Sequence, residues 1–254
     1  MPKRYLAFDI ETAKILPEET ADLLSHRPLG MCCAAAVASD LPKPLTWYGR
    51  TMDGTPAPVL SRDEARALVA DLGDLVRTGY TLVTWNGLGF DFDVLSEESG
   101  LTAECAQLAW RHVDMMFHVV CERGFPLALD KAAQAMGLGT KDHAVGGARA
   151  PALWAEGRYA EVLDYCVRDV QLTLGLAVAC DEQRVMRWIT RKGTTSQMAL
   201  PQGWLGAAEA DRLPLPDTSW MTDPLTRERF TGWIPPGIKP RPRTPAPTDG
   251  KLPW

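Results

Sequence analysis

The order of apolar runs in the first 85 residues constrains the fold of this chain more than any other feature. Three short runs, at residues 5–8, 31–38 and 45–48, are separated by short connections and are typical of antiparallel strands. Residues 61–64, Ser-Arg-Asp-Glu, form a capping-box pattern that opens an amphipathic helix, and a further apolar run follows at 81–85. Because a crossover helix makes the strands that it connects parallel, this order predicts a mixed α/β sheet.

Helical patterns dominate the next hundred residues. Shorter helices are predicted near 91–98 and 128–137, and a long one from about 159 to 181. The long helix carries an apolar stripe at the spacing of one helical face. Its members are Leu163, Cys166, Val170, Leu174 and Ala177.

Charge and composition change near the end of the predicted long helix. Residues 1–180 carry 16 Lys+Arg against 24 Asp+Glu, whereas residues 181–254 carry 11 against 8, within an overall net charge of −5. The second part also holds 11 of the 20 prolines and five of the nine tryptophans. We therefore predict a domain at 1–183, a basic, Trp-containing extension at 184–234 and an extended Pro-rich tail at 235–254.

Several classes of protein are excluded by the same composition. No run of 18 apolar residues exists, so no membrane span is expected, and the apolar run near the N-terminus is too short for a signal peptide. The six cysteines form no C-x-x-C pair and sit in apolar stretches, which predicts reduced core thiols in a cytoplasmic protein. Overall acidity argues against broad electrostatic binding of nucleic acid, but not against acidic groups that hold cations.

Asp9 and Glu11 stand two residues apart at the end of the first apolar run. The alternation of a strand puts both side chains on one face, where two carboxylates repel unless a cation lies between them. Carboxylate oxygens are the ligands that Mg²⁺ prefers. The pair therefore predicts a divalent-metal site, and an acidic strand-to-loop turn is the structural alternative.

Two further groups of residues carry chemistry. Residues 86–91, Asn-Gly-Leu-Gly-Phe-Asp, follow the fourth predicted strand, and their glycines permit a tight turn and a close approach of the backbone to a ligand. Asp91 and Asp93 also suit a helix start, so either acid alone is consistent with a cap. Tyr165 and Asp169 share one helical face a turn apart, which is equally typical of a boundary tyrosine beside a solvated acid.

Taken together, the motifs D-x-E, N-G-x-x-F-D and Y-x-x-x-D occur in an order that resembles the DEDD superfamily of 3′–5′ exonucleases. The resemblance is to the tyrosine-bearing branch, which includes the exonuclease domains of family B DNA polymerases, and it spans roughly residues 4–182. It implies an RNase H-like α/β fold with a mixed five-stranded sheet flanked by helices, followed here by a Pro/Trp-rich C-terminal extension.

The resemblance also implies roles for individual residues. Asp9, Glu11, Asp91 and Asp169 match the four carboxylates that hold two Mg²⁺ or Mn²⁺ ions, and Tyr165 matches the tyrosine that orients the attacking water. Asp91 is preferred to Asp93 because the family pattern places the acid directly after N-G-x-x-F. Three residues that line the motifs are expected to contact the terminal nucleotide: Thr12, Asn86 and Phe90.

The implied function is hydrolysis of phosphodiester bonds from the 3′ end of single-stranded DNA, releasing nucleoside monophosphates. Two alternatives remain open. The first is trimming of RNA 3′ ends, since the motifs do not identify a residue that reads a 2′-hydroxyl. The second is a non-catalytic nucleic-acid-binding or scaffold module on the same fold, which the retention of all four carboxylates disfavours.

The extension admits two interpretations. Arginines near 184–192 and the tryptophans at 188, 204, 220 and 233 together suit stacking on a single strand. Alternatively, the tryptophans pack onto the preceding domain, or they mediate self-association or binding of a protein partner. Packing is favoured, because the sequences around Trp220 and Trp233 resemble ordered turns that present apolar anchors.

Overall fold

The structure, a computed structural model, describes residues 3–140, 146–222 and 224–238. Its first three strands, β1 (Arg4–Thr12), β2 (Met31–Ala38) and β3 (Leu45–Tyr48), pair antiparallel in sequence order. All three predicted strands are present. The register shifts between Glu11 and Thr12, so β1 is irregular where its acidic pair ends.

The helix α1 (Arg62–Arg77) connects these strands to β4 (Tyr80–Thr84), which lies parallel to β1. Ser61 and Glu64 form the predicted capping box at its start. The fifth strand, β5 (Val113–Asp114), is parallel to β4 and has only two residues. The sheet order is β3-β2-β1-β4-β5, which is the mixed five-stranded sheet that was predicted.

Between α1 and the extension, the described residues form six further helices. They are α2 (Asp91–Ser99), α3 (Thr102–Arg111), α4 (Met115–Arg123), α5 (Leu129–Ala135), α6 (Ala150–Ala155) and α7 (Tyr159–Gln183). The predictions located α2, α5 and α7 and missed the other three. The segment of α4 is buried on much of its surface, so it lacks a clear polar face that would reveal the helical period.

Two layers of buried side chains cover the faces of the sheet, and β1 contributes alternately to each. Leu6, Phe8 and Ile10 pack in the layer with α1, α2 and α3. Tyr5 and Ala7 pack in the layer with α6 and α7. Because side chains alternate along a strand, Asp9 and Glu11 continue the second series and face α7.

The extension is folded against the domain. It contains a hairpin of β6 (Val185–Ile189) and β7 (Thr195–Ala199) and two short helices, α8 (Ala207–Ala210) and α9 (Glu228–Thr231). The basic stretch predicted near 184–192 is therefore largely the first strand of this hairpin. Within the described residues no helix is both long enough and apolar enough to cross a membrane.

The tryptophans of the extension mostly pack inward, as the sequence favoured. Trp188 and Trp204 are buried, and the Trp204 indole donates to the Ala177 carbonyl at 3.2 Å. Trp220 is the exception, with 68% of its surface exposed. Most of the predicted tail, residues 239–254, lies outside the described residues.

Candidate active site

The carboxylates of β1 lie where the strand meets the first half of α7. Glu11 is buried and Asp9 is half-buried. Their oxygens and the Cys166 sulfur all lie within 4.8 Å of one another. The Cys166 thiol accepts a hydrogen bond that lowers its pKa, but burial and the charges of Glu11 and Asp9 raise that pKa to about 12. Cys166 therefore remains a neutral thiol close to the carboxylates of Asp9 and Glu11.

Asp91 reaches the same strand end from the opposite layer. Its Oδ1 accepts a hydrogen bond from the Ile10 backbone N–H at 3.1 Å, and its carboxyl group is hydrogen-bonded to that of Asp9. Burial, followed by the charge of Asp9, raises the pKa of Asp91 well above its usual range. Two acids in this contact require either a shared proton or a cation.

Asp93, two residues further along α2, points elsewhere. It forms an ion pair with Arg27, which also bonds Glu97 at 2.9 Å. The structure thus brings Asp91 to Asp9 and does not bring Asp93 there. This separation follows from the helix, because residues two apart lie on different faces.

Tyr165 and Asp169 come from α7, one turn apart, and both side chains are buried. The two side chains are hydrogen-bonded to each other. Burial, with the negative charges of Asp169 and Glu11, raises the pKa of the Tyr165 phenol far above its ordinary value. The phenol therefore keeps its proton at neutral pH and donates it to a carboxylate.

Gly147 is a neighbour of the site that the sequence analysis missed. A Cβ built there would lie 3.8 Å from the Tyr165 phenol oxygen and 4.0 Å from Glu11 Oε2, and no other described atom lies within 4 Å. Neither Gly147 nor Gly146 has a positive φ. The pair Gly146-Gly147 in the sequence was the available signal, but nothing in the spacing shows which site it adjoins.

The side chains of Thr84 and Asp114 hold the turn that presents Asp91, and the sequence analysis assigned neither of them to it. Thr84 accepts a hydrogen bond from the Gly87 N–H at 3.0 Å, and a Cβ at Gly87 would lie 2.4 Å from the Thr84 hydroxyl. Only glycine fits such an approach. Asn86 has a φ of 74°, in the left-handed region that asparagine tolerates.

Asp114 fixes the same turn from β5. Its carboxylate accepts from the backbone N–H groups of Asn86 at 3.0 Å and Leu88 at 2.8 Å, and it also caps α4 through Phe117. Burial raises its pKa to about 6, against the opposing effect of these hydrogen bonds. Asp114 therefore has two roles, as the N-cap of α4 and as the acceptor that holds the backbone of the turn.

Of the three residues expected to contact a nucleotide, Thr12 and Phe90 each adjoin one of these acids in the chain, and Asn86 lies in the turn before Asp91. Thr12 ends β1 and is half-buried. Asn86 and Phe90 line a cavity of about 270 Å³ beside the turn. The structure therefore groups Asn86 with Phe90 and leaves Thr12 at the end of the strand.

Comparison with known proteins agrees with this geometry at the level of the fold. A family model of the RNase H superfamily matches residues 55–179, a range that includes Asp91, Tyr165 and Asp169 but not β1. No curated protein matches the chain.

Among solved structures, a family B DNA polymerase from the archaeon Pyrobaculum calidifontis aligns with a TM-score of 0.51 and 22% identity, over 71% of this chain and 25% of the polymerase. The ssDNA complex of E. coli ExoI in its zinc-bound form aligns with a TM-score of 0.33 and 16% identity, over 78% of this chain and 51% of ExoI. A product-bound exonuclease I aligns with a TM-score of 0.36 and 12% identity, over 92% of this chain and 71% of the exonuclease.

The fold and the family match together define an RNase H-like domain. The chain spans a quarter of the polymerase that it resembles, so the likeness concerns only part of that protein. Its extension beyond residue 179 lies outside the matched family range.

Proposed function

We propose that this chain is a divalent-metal-dependent 3′–5′ exonuclease that releases nucleoside monophosphates from single-stranded DNA. One observation carries the proposal. Four carboxylates, from Asp9, Glu11, Asp91 and Asp169, gather with the Tyr165 phenol at one end of the sheet of an RNase H-like domain. Buried acids in such numbers are unfavourable unless they bind cations.

The donor set suits hard divalent ions. The contact of Asp91 with Asp9 and the grouping of Asp9 with Glu11 within 4.8 Å bring carboxyl oxygens of three residues together. Asp9, Glu11, Asp91 and Asp169 would hold two Mg²⁺ or Mn²⁺ ions, for which oxygen ligands are preferred. Bound there, these ions lower the pKa of a water and neutralise charge on the phosphate.

Tyr165 contributes orientation. Because its phenol stays protonated and donates its O–H to Asp169, it is a poor proton acceptor, and its oxygen is left to accept a hydrogen bond from a water. The open position at Gly147 lies beside the phenol oxygen and leaves room there for a water or a phosphate oxygen. We assign Tyr165 the role of positioning the attacking water.

The residues around the acids favour an unpaired strand end as substrate. Phe90 offers an aromatic surface and Asn86 an amide in the same cavity, which suits a base that is not stacked in a duplex. Thr12 completes this set at the end of β1. We place the catalytic domain at residues 1–183.

The extension offers a surface for other contacts. Its exposed large apolar side chains are Leu215, with 82% of its surface accessible, and Trp220. We propose this surface for a protein partner or self-association.

The test is digestion of oligonucleotides that carry a label at either end. With Mg²⁺ or Mn²⁺, a 5′-labelled single-stranded DNA should shorten progressively, and a 3′-labelled one should release labelled mononucleotide at once. The Asp9→Asn variant, purified in parallel, excludes a contaminating nuclease. Cleavage of RNA alone would identify an RNA-trimming enzyme, and no hydrolysis with either metal would favour a non-catalytic module.

A further inference from the structure

A cavity of about 270 Å³ lies at the turn that presents Asp91, and three separate parts of the chain form most of its wall, with Met116 of α4 also lining it. Residues 21–24, in the connection after β1, form one wall. Residues of the 86–90 turn form the second. The third comes from the extension, through Leu225, Arg229 and Phe230.

The extension is fixed against the turn by direct contacts. The Trp233 indole donates to the Leu88 carbonyl at 2.8 Å. Phe230 is buried, and a Cβ at Gly89 would lie 2.9 Å from its ring, so Gly89 allows the close approach. Phe230 also packs against the Phe117 ring, with centroids 5.2 Å apart. The third wall is therefore a packed element rather than a loose segment.

The chemistry of the cavity suits a nucleotide. Leu24, Phe90 and Met116 provide apolar and aromatic surface, while Asn86 and Asp22 provide polar groups that match the edge of a base. Arg229 adds an exposed guanidinium, and among the described residues it forms no ion pair, even with Asp22 in the same cavity. A phosphate is the natural partner for such a group.

We propose that this cavity binds a nucleotide of the substrate strand, with Arg229 of the extension contacting a backbone phosphate. The inference rests on the proposed exonuclease function. It assigns the extension a part in substrate binding, because residues outside the matched RNase H-like range supply the cation and one wall.

The experiment measures binding of a 5′-labelled single-stranded DNA to the full-length protein by fluorescence anisotropy. Ca²⁺ replaces Mg²⁺, since its looser oxygen coordination occupies such sites without matching Mg²⁺ geometry. Arg229→Gln should weaken binding about 10-fold. The slope of log K against log salt concentration should fall by about 0.7, as for one lost phosphate contact on a single strand.

Arg212→Gln is the matched control, because Arg212 is an exposed arginine of the extension that does not line the cavity. It should leave both the affinity and the salt slope unchanged, and both variants should melt like the wild type. Equal binding by Arg229→Gln and the wild type, or equal losses in the two variants, would overturn the proposal. Cleavage of the same DNA by the wild-type protein is measured in parallel. If the wild type binds the DNA but does not cleave it, the proposed exonuclease function is overturned, whereas the proposal that the cavity binds a nucleotide is not.

Discussion

The candidate active site buries charged groups and the extension half-buries one, and the two regions surround these groups with different partners. At the site, Glu11, Asp91 and Asp169 are buried among other acids. In the extension, the Arg227 guanidinium is surrounded by backbone carbonyls: it donates to Leu213 at 2.8 Å and to three others.

The difference separates a structural charge from a functional one. Arg227 has acceptors for both of its Nη groups, and only its Nε lacks a partner among the described residues. Its charge is thus compensated within the fold. The acids offer acceptors to one another and need a cation from outside. Removing Arg227 should therefore damage stability, whereas removing an acid should damage chemistry.

The largest expected effect tests whether the acids act in chemistry. Asp91→Asn should reduce hydrolysis at least roughly 10³-fold, because a lost metal ligand removes several kcal/mol of transition-state stabilisation. Asp93→Asn, two residues away in an ion pair with Arg27, should retain most activity. Single-turnover rates on labelled DNA check both variants, and an inactive Asp93→Asn beside an active Asp91→Asn would reverse the assignment.

The second prediction concerns the cation that the acids need. Ions that bind only the folded protein should stabilise it by ~2.7 kcal/mol at a free concentration of ~100 times Kd. Thermal melting with increasing Mn²⁺ or Mg²⁺ should show a rise of roughly 5–10 °C for a chain of this size. Asp9→Ala should lose most of that rise. A melting curve that does not respond to millimolar metal would contradict the grouping of acids as a metal site.

Arg227→Gln makes the converse test in the extension. Carbonyls left without their donor should lower the free energy of unfolding by about 1–3 kcal/mol. Turnover per folded molecule should stay near wild type, and added metal should raise the melting temperature of the variant as much as that of the wild type, since distant sites are additive. Arg212→Gln serves as the surface control. A variant that melts normally but turns over slowly would make Arg227 part of the site.

The same contrast explains what the sequence could predict. Asp9 and Glu11 follow from strand alternation, and Tyr165 with Asp169 from helical spacing, so local periodicity was sufficient to place each motif on its element. The contacts of Arg227 with carbonyls near 121 and 211–214 join segments far apart in the chain, and no local pattern encodes them. The short strand β5 was likewise invisible, because two residues carry no period.

Tyr165→Phe tests the positioning role within the site. An orienting group contributes at the lower end of the range for acid–base residues, so hydrolysis should slow roughly 10- to 100-fold. Affinity for metal and for DNA should change little, because the phenol is not one of the carboxylate ligands. The comparison is single-turnover rate against binding for Tyr165→Phe and Asp169→Ala. A Tyr165→Phe rate equal to wild type would reduce the tyrosine to a packing residue.

The smallest expected effect concerns the space beside that phenol. Gly147 and Gly146 both lack a positive φ, so alanine fits either backbone, but only a Cβ at 147 approaches the Tyr165 oxygen, at 3.8 Å. That distance is ordinary van der Waals contact, so Gly147→Ala should fold normally while displacing a water or phosphate oxygen from the phenol. Misplacing a reacting group by about 1 Å slows a reaction by up to roughly 10²-fold. A single methyl group at this distance should slow hydrolysis by only a small part of that factor. Gly147→Leu should cost more, and Gly146→Ala, whose Cβ would meet no described atom within 4 Å, should cost nothing. Rates that fall equally at both positions, or at neither, would show that the missing side chain at 147 does not serve the site.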